Sequence, residues 1–286
     1  MTVKRACLLG GGSLAESVFR DASFDVYFTF ADFYDRYAEL GAKENGRNFI
    51  VLREKSVDKA LQELLAALKV LRVDRLMMIG YIPQNLRLVA GKHDEEAVKS
   101  VLNLLESYGV SVESYIDYFA AKGKVWGKFA QRLGAKNYHD TLLSKALDLN
   151  GITGYQASIW LNERLLFSEG AGGTDWLLAE SLEFIEKGVR GREVSEGMDL
   201  KFDLVFFKLP RPNQNLLIDV PVVGKKTFEG IFKMKESLEK LTDGNSRVSV
   251  VMWEGVVLDL DEKYFEILEK MSEEVEFFAA SVDLGS

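Results

Sequence analysis

One cysteine, two histidines and four prolines are all that 286 residues contain of these types, and each scarcity removes a class of chemistry. With Cys7 alone, no disulfide can close within the chain and no thiolate cluster can form around a metal. Cys7 lies in the apolar run Arg5-Ala6-Cys7-Leu8-Leu9 and reads as a small buried hydrophobe. With only His93 and His139, a zinc site of several imidazoles is excluded within one chain, and a hard cation on oxygen ligands is the metal to consider. Basic residues are also short, 36 against 44 acidic, for a formal net charge of −8. Broad binding of nucleic acid through its phosphates is therefore not expected, although a local nest of amides or a few lysines can oppose the global sign and take an anion. No stretch approaches about 18 uninterrupted apolar residues, and the start of the chain enters a strand pattern without a long apolar region. The expected compartment is the cytoplasm.

The apolar fraction of 47% and the charged fraction of 28% are those of a globular chain, and the length suits two domains of ordinary size. In the first part, strand patterns at Ala6 to Leu9, Phe24 to Phe30, Phe49 to Leu52 and Arg75 to Gly80 alternate with helical ones. The leucines of Ser56 to Leu71 recur at helical spacing, and Asp94 to Tyr108 is a second such helix. Val110 to Phe119 reads as a strand and turn. This alternation predicts an α/β, Rossmann-like parallel sheet over residues 1–120. Residues 121–150 read as a linker or peripheral helices, and 151–286 as a separate mixed α/β (α+β) domain. There, Thr153 to Glu169 reads as two strands about Asn162-Glu163-Arg164, followed by a helix from Thr174 to Lys187 and a strand from Phe202 to Lys208. Phe228 to Lys240 reads as a helix, Arg247 to Trp253 and Gly255 to Leu260 as a strand pair, Asp261 to Met271 as a helix and Val275 to Val282 as a last strand. The tryptophans at 126, 160, 176 and 253 are expected in the core, and both histidines at the surface or in turns.

Three places can carry chemistry. Three of the prolines fall between Pro210 and Pro221, and inside that stretch Asp219 stands alone in the apolar run Leu216-Leu217-Ile218-Asp219-Val220-Pro221. A buried carboxylate needs a cation, a metal or several donors opposite it. Pro221 forces any strand to end, bulge or lie at an edge there. Asp219 either points into a cleft or stops a strand by bonding its own turn. The polar run Lys208-Leu209-Pro210-Arg211-Pro212-Asn213-Gln214 precedes it. Gly10-Gly11-Gly12-Ser13, between strand and helix, is either an anion nest or a tight turn. Glu169-Gly170-Ala171-Gly172-Gly173-Thr174-Asp175 repeats that arrangement. Thr174 can cap the following helix and Asp175 complement its dipole, or the loop can take a phosphate with Asp175 helping to hold a metal. Two such turns in different domains suggest a phosphorylated ligand in the cleft between them.

Gly-Gly-Gly-Ser-Leu after the first strand, the strand ending at Gly80, Gly-Thr-Asp at 173–175 and the run Pro212-x-Gln214-x(4)-Asp219-x-Pro221-x-x-Gly224 occur in one order along the chain. In that order and spacing the chain resembles the UDP-2,3-diacylglucosamine pyrophosphatase family of the LpxI type, as a diverged member. The resemblance implies hydrolysis of UDP-2,3-diacylglucosamine to UMP and diacylglucosamine 1-phosphate for lipid A synthesis, with magnesium or another divalent cation. The family's essential aspartate falls on Asp219, which with Asp175 is the implied metal ligand. The implied substrate-binding residues are Gly10, Gly11, Gly12 and Ser13 in the first turn and Gly80 after the fourth strand. In the second part they are Gly173, Thr174, Lys208, Pro212 and Gln214. The implied partner is a lipid-linked nucleotide sugar, with at most peripheral contact with the inner face of the membrane. The chain departs from the pattern where an acidic residue usual before Gly-Thr-Asp is Gly172, a basic residue two before the aspartate is Leu217, and a threonine after Pro221 is Val222. An asparagine after Gly80 is Tyr81, and an Arg-Pro pair has no counterpart near Ile82-Pro83. These departures leave open a non-catalytic binding protein or a hydrolase of another nucleotide sugar.

Overall fold

The computed structural model describes residues 3–11, 13–20, 23–43, 49–54, 57–79, 94–170, 172–191, 201–211, 214, 216–217, 220–242 and 244–282. The chain is α/β and divides into two compact units, the first mainly Met1–Tyr118 and the second Phe119–Gln214 with Val220–Ser286.

In the first unit, β1 (Arg5–Leu9), β2 (Val26–Phe30), β3 (Ile50–Leu52), β4 (Arg75–Ile79) and β5 (Ser111–Glu113) form a sheet in the order β3-β2-β1-β4-β5. All of its pairings are parallel. Parallel strands need crossovers, supplied here by helices α1 (Ser13–Arg20), α2 (Tyr34–Lys43), α3 (Val57–Leu71) and α4 (Asp94–Ser107). Ala6, Cys7, Leu8 and Leu9 are all buried, as expected when helices cover both faces of a sheet. Leu64, Leu65 and Leu68 of α3 pack on Leu8, Phe28, Leu76 and Met78, each leucine contributing about 1.5–3 kcal/mol relative to exposure. The strand order reverses between β1 and β4, so their carboxyl ends flank the crevice where open α/β sheets take ligands.

In the second unit, β6 (Lys136–Asn137), β7 (Ala157–Leu161), β8 (Arg164–Ser168), β9 (Phe202–Lys208), β11 (Ser246–Trp253) and β13 (Glu276–Ala280) form a mixed sheet, order β6-β13-β11-β9-β7-β8. Only β7 runs against its neighbours. The hairpin joining β7 to β8 turns at Asn162 and Glu163, with φ of 49° and 60°, the conformation that matches strand twist. Strand β9 serves two cores by alternation: Leu204 and Phe206 face one cluster, Val205 and Phe207 the other. Helix α5 (Tyr115–Ala121) contains the division between the units; α6 (Trp126–Arg132), α7 (Thr141–Thr153), α8 (Gly173–Gly191), α9 (Lys225–Thr242) and α10 (Glu262–Met271) complete the second unit. Among the described residues no helix is long and apolar enough to cross a membrane.

Four segments differ from the sequence expectation. Residues 121–150, read as a linker or peripheral helices, do contain two helices, but the first is packed inward: Trp126, Phe129 and Ala130 are buried in the main core, and the Trp126 indole donates to the Phe278 carbonyl at 2.8 Å. The two residues of β6 add a strand beside β13. A short helix and a two-residue strand give too little periodicity to read. Past Ser114 the chain is helical rather than turn, because the Ser114 hydroxyl accepts from the Asp117 amide and Tyr115 and Phe119 bury one turn apart. Strands β11 and β12 (Val257–Asp259) do not pair with each other; β12 lies parallel to β10 (Val222–Gly224) in a separate two-stranded sheet. Trp126 and Trp160 are buried and Trp253 is half-buried, but Trp176 is 42% exposed. His139 is exposed; His93 lies outside the described residues.

Candidate functional site

Two apolar strands of the second unit end in opposite charges. Strands β8 and β9 lie on either side of β7 and run in the same direction, so their carboxyl ends share one edge of the sheet. Lys208 closes β9, and Glu169 follows β8 directly. Both are registered on Ala157: Lys208 is its ladder partner, and the Glu169 amide donates to its carbonyl at 2.8 Å. This backbone geometry brings the two side chains together.

Lys208 is 3% exposed, a position a lysine holds only when its charge is compensated. Its Nζ donates to Thr174 Oγ1 at 2.9 Å and lies 3.5 Å from Glu169 Oε1. The Thr174 hydroxyl in turn donates to Glu169 Oε1 at 2.8 Å, and Glu169 Oε2 accepts from the Gln156 amide at 3.0 Å. Burial pushes the Glu169 carboxyl pKa up, but the Lys208 charge, the Thr174 hydroxyl and the Gln156 amide together outweigh burial and hold it below the ordinary value. Thr174 is the second residue of α8, whose first-turn amides lack intrahelical partners and favour an anion. The constellation thus joins a buried cation, a hydroxyl of fixed direction and a helix start at the end of a sheet where polar groups are aimed outward.

The loop between Glu169 and Thr174 is closed by a turn in which the Gly173 amide donates to the Gly170 carbonyl at 3.0 Å. Gly173 has φ of +70°, a conformation side chains resist. At Gly172 the reason is packing: a Cβ there would stand 2.6 Å from Trp176 Cβ and 2.7 Å from its Cγ. Trp176 thus leaves no room for a side chain at Gly172, and the carboxylate that reaches Thr174 comes from Glu169 at the loop's start.

Of the residues singled out from sequence, Gly173, Thr174 and Lys208 are brought together. Asp175 is exposed and lies 3.7 Å from Lys226 Nζ. Gln214 Oε1 accepts from the Arg211 amide at 2.8 Å, and its Nε2 is buried without a hydrogen-bond partner among the described residues. In the first unit, the Gly10 amide donates to the Ile79 carbonyl at 2.8 Å, and the Gly10 carbonyl accepts from the Tyr37 hydroxyl at 2.6 Å. A Cβ on Gly11 would meet the Phe33 ring at 2.9 Å. Ser13 opens α1. Gly12, Gly80, Pro212 and Asp219 lie outside the described residues. Among the described residues, no three His, Cys, Asp or Glu side chains converge as a metal site. Asp175 faces Lys226 at the surface, and Glu169 is engaged by Lys208. The partners the sequence reading missed are Glu169 as an ion-pair carboxylate and the Gln156 amide. The signal for the first was two apolar strands ending in opposite charges.

Residues 145–249 match the family model of the LpxI C-terminal domain. Among curated proteins, none matches the chain significantly. The matched span includes Glu169, Gly173 to Asp175, Lys208 and Gln214.

Proposed function

We propose that this chain hydrolyses the pyrophosphate of a lipid-linked nucleotide sugar, UDP-2,3-diacylglucosamine, to UMP and 2,3-diacylglucosamine 1-phosphate, a step in processing lipid A precursors. The observation that carries this reading is the buried Lys208–Thr174–Glu169 constellation lying within the span that matches the LpxI C-terminal domain. In the proposed reaction a water oxygen bonds to the nucleotide-side phosphorus and gives up a proton to solvent. The bond from that phosphorus to the bridging oxygen breaks, and the sugar phosphate leaves with the electron pair. Thr174, Gly173 and the first turn of α8 orient the phosphates, and Lys208 offsets their charge from beneath. Gln214, whose side-chain nitrogen has no partner among the described residues, is a donor for a substrate oxygen. Asp219 is the carboxylate assigned to the chemistry. A requirement for magnesium or another divalent cation is part of the proposal, with Asp219 as the first ligand to test. The lipid-linked substrate implies a protein that works from the cytoplasm at the inner face of the membrane and has no nucleic-acid partner.

The test is release of UMP from UDP-2,3-diacylglucosamine by the purified chain, with and without magnesium, followed by chromatography of the nucleotide. Expected are magnesium-dependent release and a loss of at least about a hundredfold for Asp219→Ala, the scale on which one catalytic group contributes. Tight binding of the substrate without UMP in either magnesium or manganese would replace this reading with that of a non-catalytic binding protein.

A further inference from the structure

Helix α8 packs on β7 and β8, with α9 along one flank, where a Cβ on Gly230 would stand 3.1 Å from the Leu178 Cβ. Leu177, Leu178 and Ile185 face inward and are buried. On another stripe of the same helix, Trp176, Glu180, Phe184 and Lys187 recur at helical spacing. Trp176 is 42% exposed and Phe184 52%. The Phe184 ring meets that of Phe167 of β8 edge-on at 6.1 Å, and two residues before Phe167 stands Leu165, also 42% exposed. Single exposed apolar residues are ordinary, but a contiguous group of them marks a surface that something covers. The two edges of this sheet differ in the same sense. Strand β6 is a two-residue edge, opened by Lys136 and exposed throughout, which discourages pairing. Strand β8 has five residues with Arg164 as its one charge, and among the described residues it pairs with β7 alone.

We propose that this face of α8 and β8 joins two copies of the chain about a two-fold axis, with Phe184 at its centre. The order of charges along the stripe selects a second copy as the occupant. Acid precedes Phe184 and base follows it: Glu180 lies one turn before, Lys187 one turn after. A two-fold axis at Phe184 sets the two α8 helices antiparallel, so that Lys187 meets Glu180 of the partner subunit, and the contact occurs twice. Within one copy Lys187 pairs with Glu183 at 2.5 Å and is still 72% exposed, with donors to spare for a second carboxylate. The register shift opposite Ile159 and Trp160 bends β8 and breaks its ladder, so the copies meet through side chains and not by adding strand to strand. A lipid surface is the poorer match. Glu180, Glu183 and Glu186 outnumber Lys187 on this part of α8, whereas a helix lying on anionic lipid presents a basic face. The interface stands apart from the phosphate chemistry proposed above and does not depend on it.

Sedimentation velocity of the full-length protein should show a dimer with a dissociation constant of about 10 μM or tighter. Phe184→Asp should weaken it at least about thirtyfold, the loss expected on removing a central anchor, with the far-ultraviolet circular dichroism unchanged. Lys187→Glu sets like charges face to face and should weaken the dimer about tenfold. Adding Glu180→Lys to that variant reverses both charges and should restore the wild-type constant to within about threefold. If Phe184→Asp fails to fold, the charge exchange decides alone. A wild type that stays monomeric, a dimer that neither Phe184→Asp nor Lys187→Glu weakens, or a charge exchange without recovery overturns the proposal. A monomer that sediments with phosphatidylglycerol vesicles, and loses them on Phe184→Asp, would give the face to lipid instead.

Discussion

The turns at Gly10-Gly11 and at Gly170 to Gly173 begin alike, each leaving a strand and entering a helix, yet they are held by opposite means. The first is clamped by aromatics. The Tyr37 hydroxyl donates to the Gly10 carbonyl, and the Phe33 ring lies where a Gly11 Cβ would be. Tyr37 is buried, and burial pushes its hydroxyl pKa well up, so it remains a neutral donor. The second turn has an ion pair beneath it and a half-exposed indole against it. Glycine clustering therefore reports the backbone path in both cases. What differs is the source of the charge, which lies in the residues that end β8 and β9. The aromatic clamp explains Gly11 by packing alone, whereas the ion pair has no packing purpose that an apolar pair would not serve as well or better.

The largest test of this contrast is Lys208→Met. It leaves Glu169 buried without its cation, and breaking one partner of a buried pair costs about 3–5 kcal/mol. Urea unfolding at pH 7 should show that loss. A cost below about 1 kcal/mol, the range of an exposed pair, would place the second turn in the same class as the first.

A smaller effect, with a distinctive pH dependence, is expected of Glu169→Gln. Because the folded Glu169 carboxyl titrates below its ordinary value of 4.5, folding favours its charged form. That contribution is complete above about pH 4.5 and is lost as pH falls through the lower folded value. The wild type should exceed the variant by about 1.5–3 kcal/mol at pH 7, the worth of hydrogen bonds to a charged group. The gap should narrow as pH is lowered below about 4.5 in the same unfolding assay. A gap that stays constant over this range would mean that the carboxylate's charge plays no part.

How much of this was legible in the residues depended on how local the cause was. The parallel sheet of the first unit follows from apolar runs and leucine spacing, both local signals, and the strands appear within a residue or two of where Ala6 to Leu9 and Arg75 to Gly80 place them. The position of Trp126 was not legible. Its burial depends on Phe228 and Phe277, about a hundred residues and more away. The same holds at the candidate site. Thr174 and Asp175 stand at a recognisable helix start, but the partner of Lys208 is 39 residues distant and is chosen by the order β9-β7-β8, which no local pattern encodes. Trp176 reads as core by composition, and only the turn of the loop shows that its ring lies outward over Gly170 and Gly172.

The finest discrimination between the turns comes from adding one methyl group to each. At Gly172 the new Cβ would face Trp176 Cβ at 2.6 Å. That atom is fixed by the helix backbone, so Gly172→Ala should cost about 1–2 kcal/mol, within the usual range for overpacking. Trp176→Ala, which keeps the Cβ, should not restore the loss. At Gly11 the clash is with Phe33 Cε1 at 2.9 Å, far out on the ring. A ring can tilt by a few tenths of an ångström, so Gly11→Ala should cost about 1 kcal/mol or less, and Phe33→Leu should relieve it. Thermal unfolding of the single and paired variants gives the coupling directly. If Trp176→Ala rescued Gly172→Ala as fully as Phe33→Leu rescues Gly11→Ala, both turns would be shaped by movable rings, and the tight backbone path assigned to the second would have to be withdrawn.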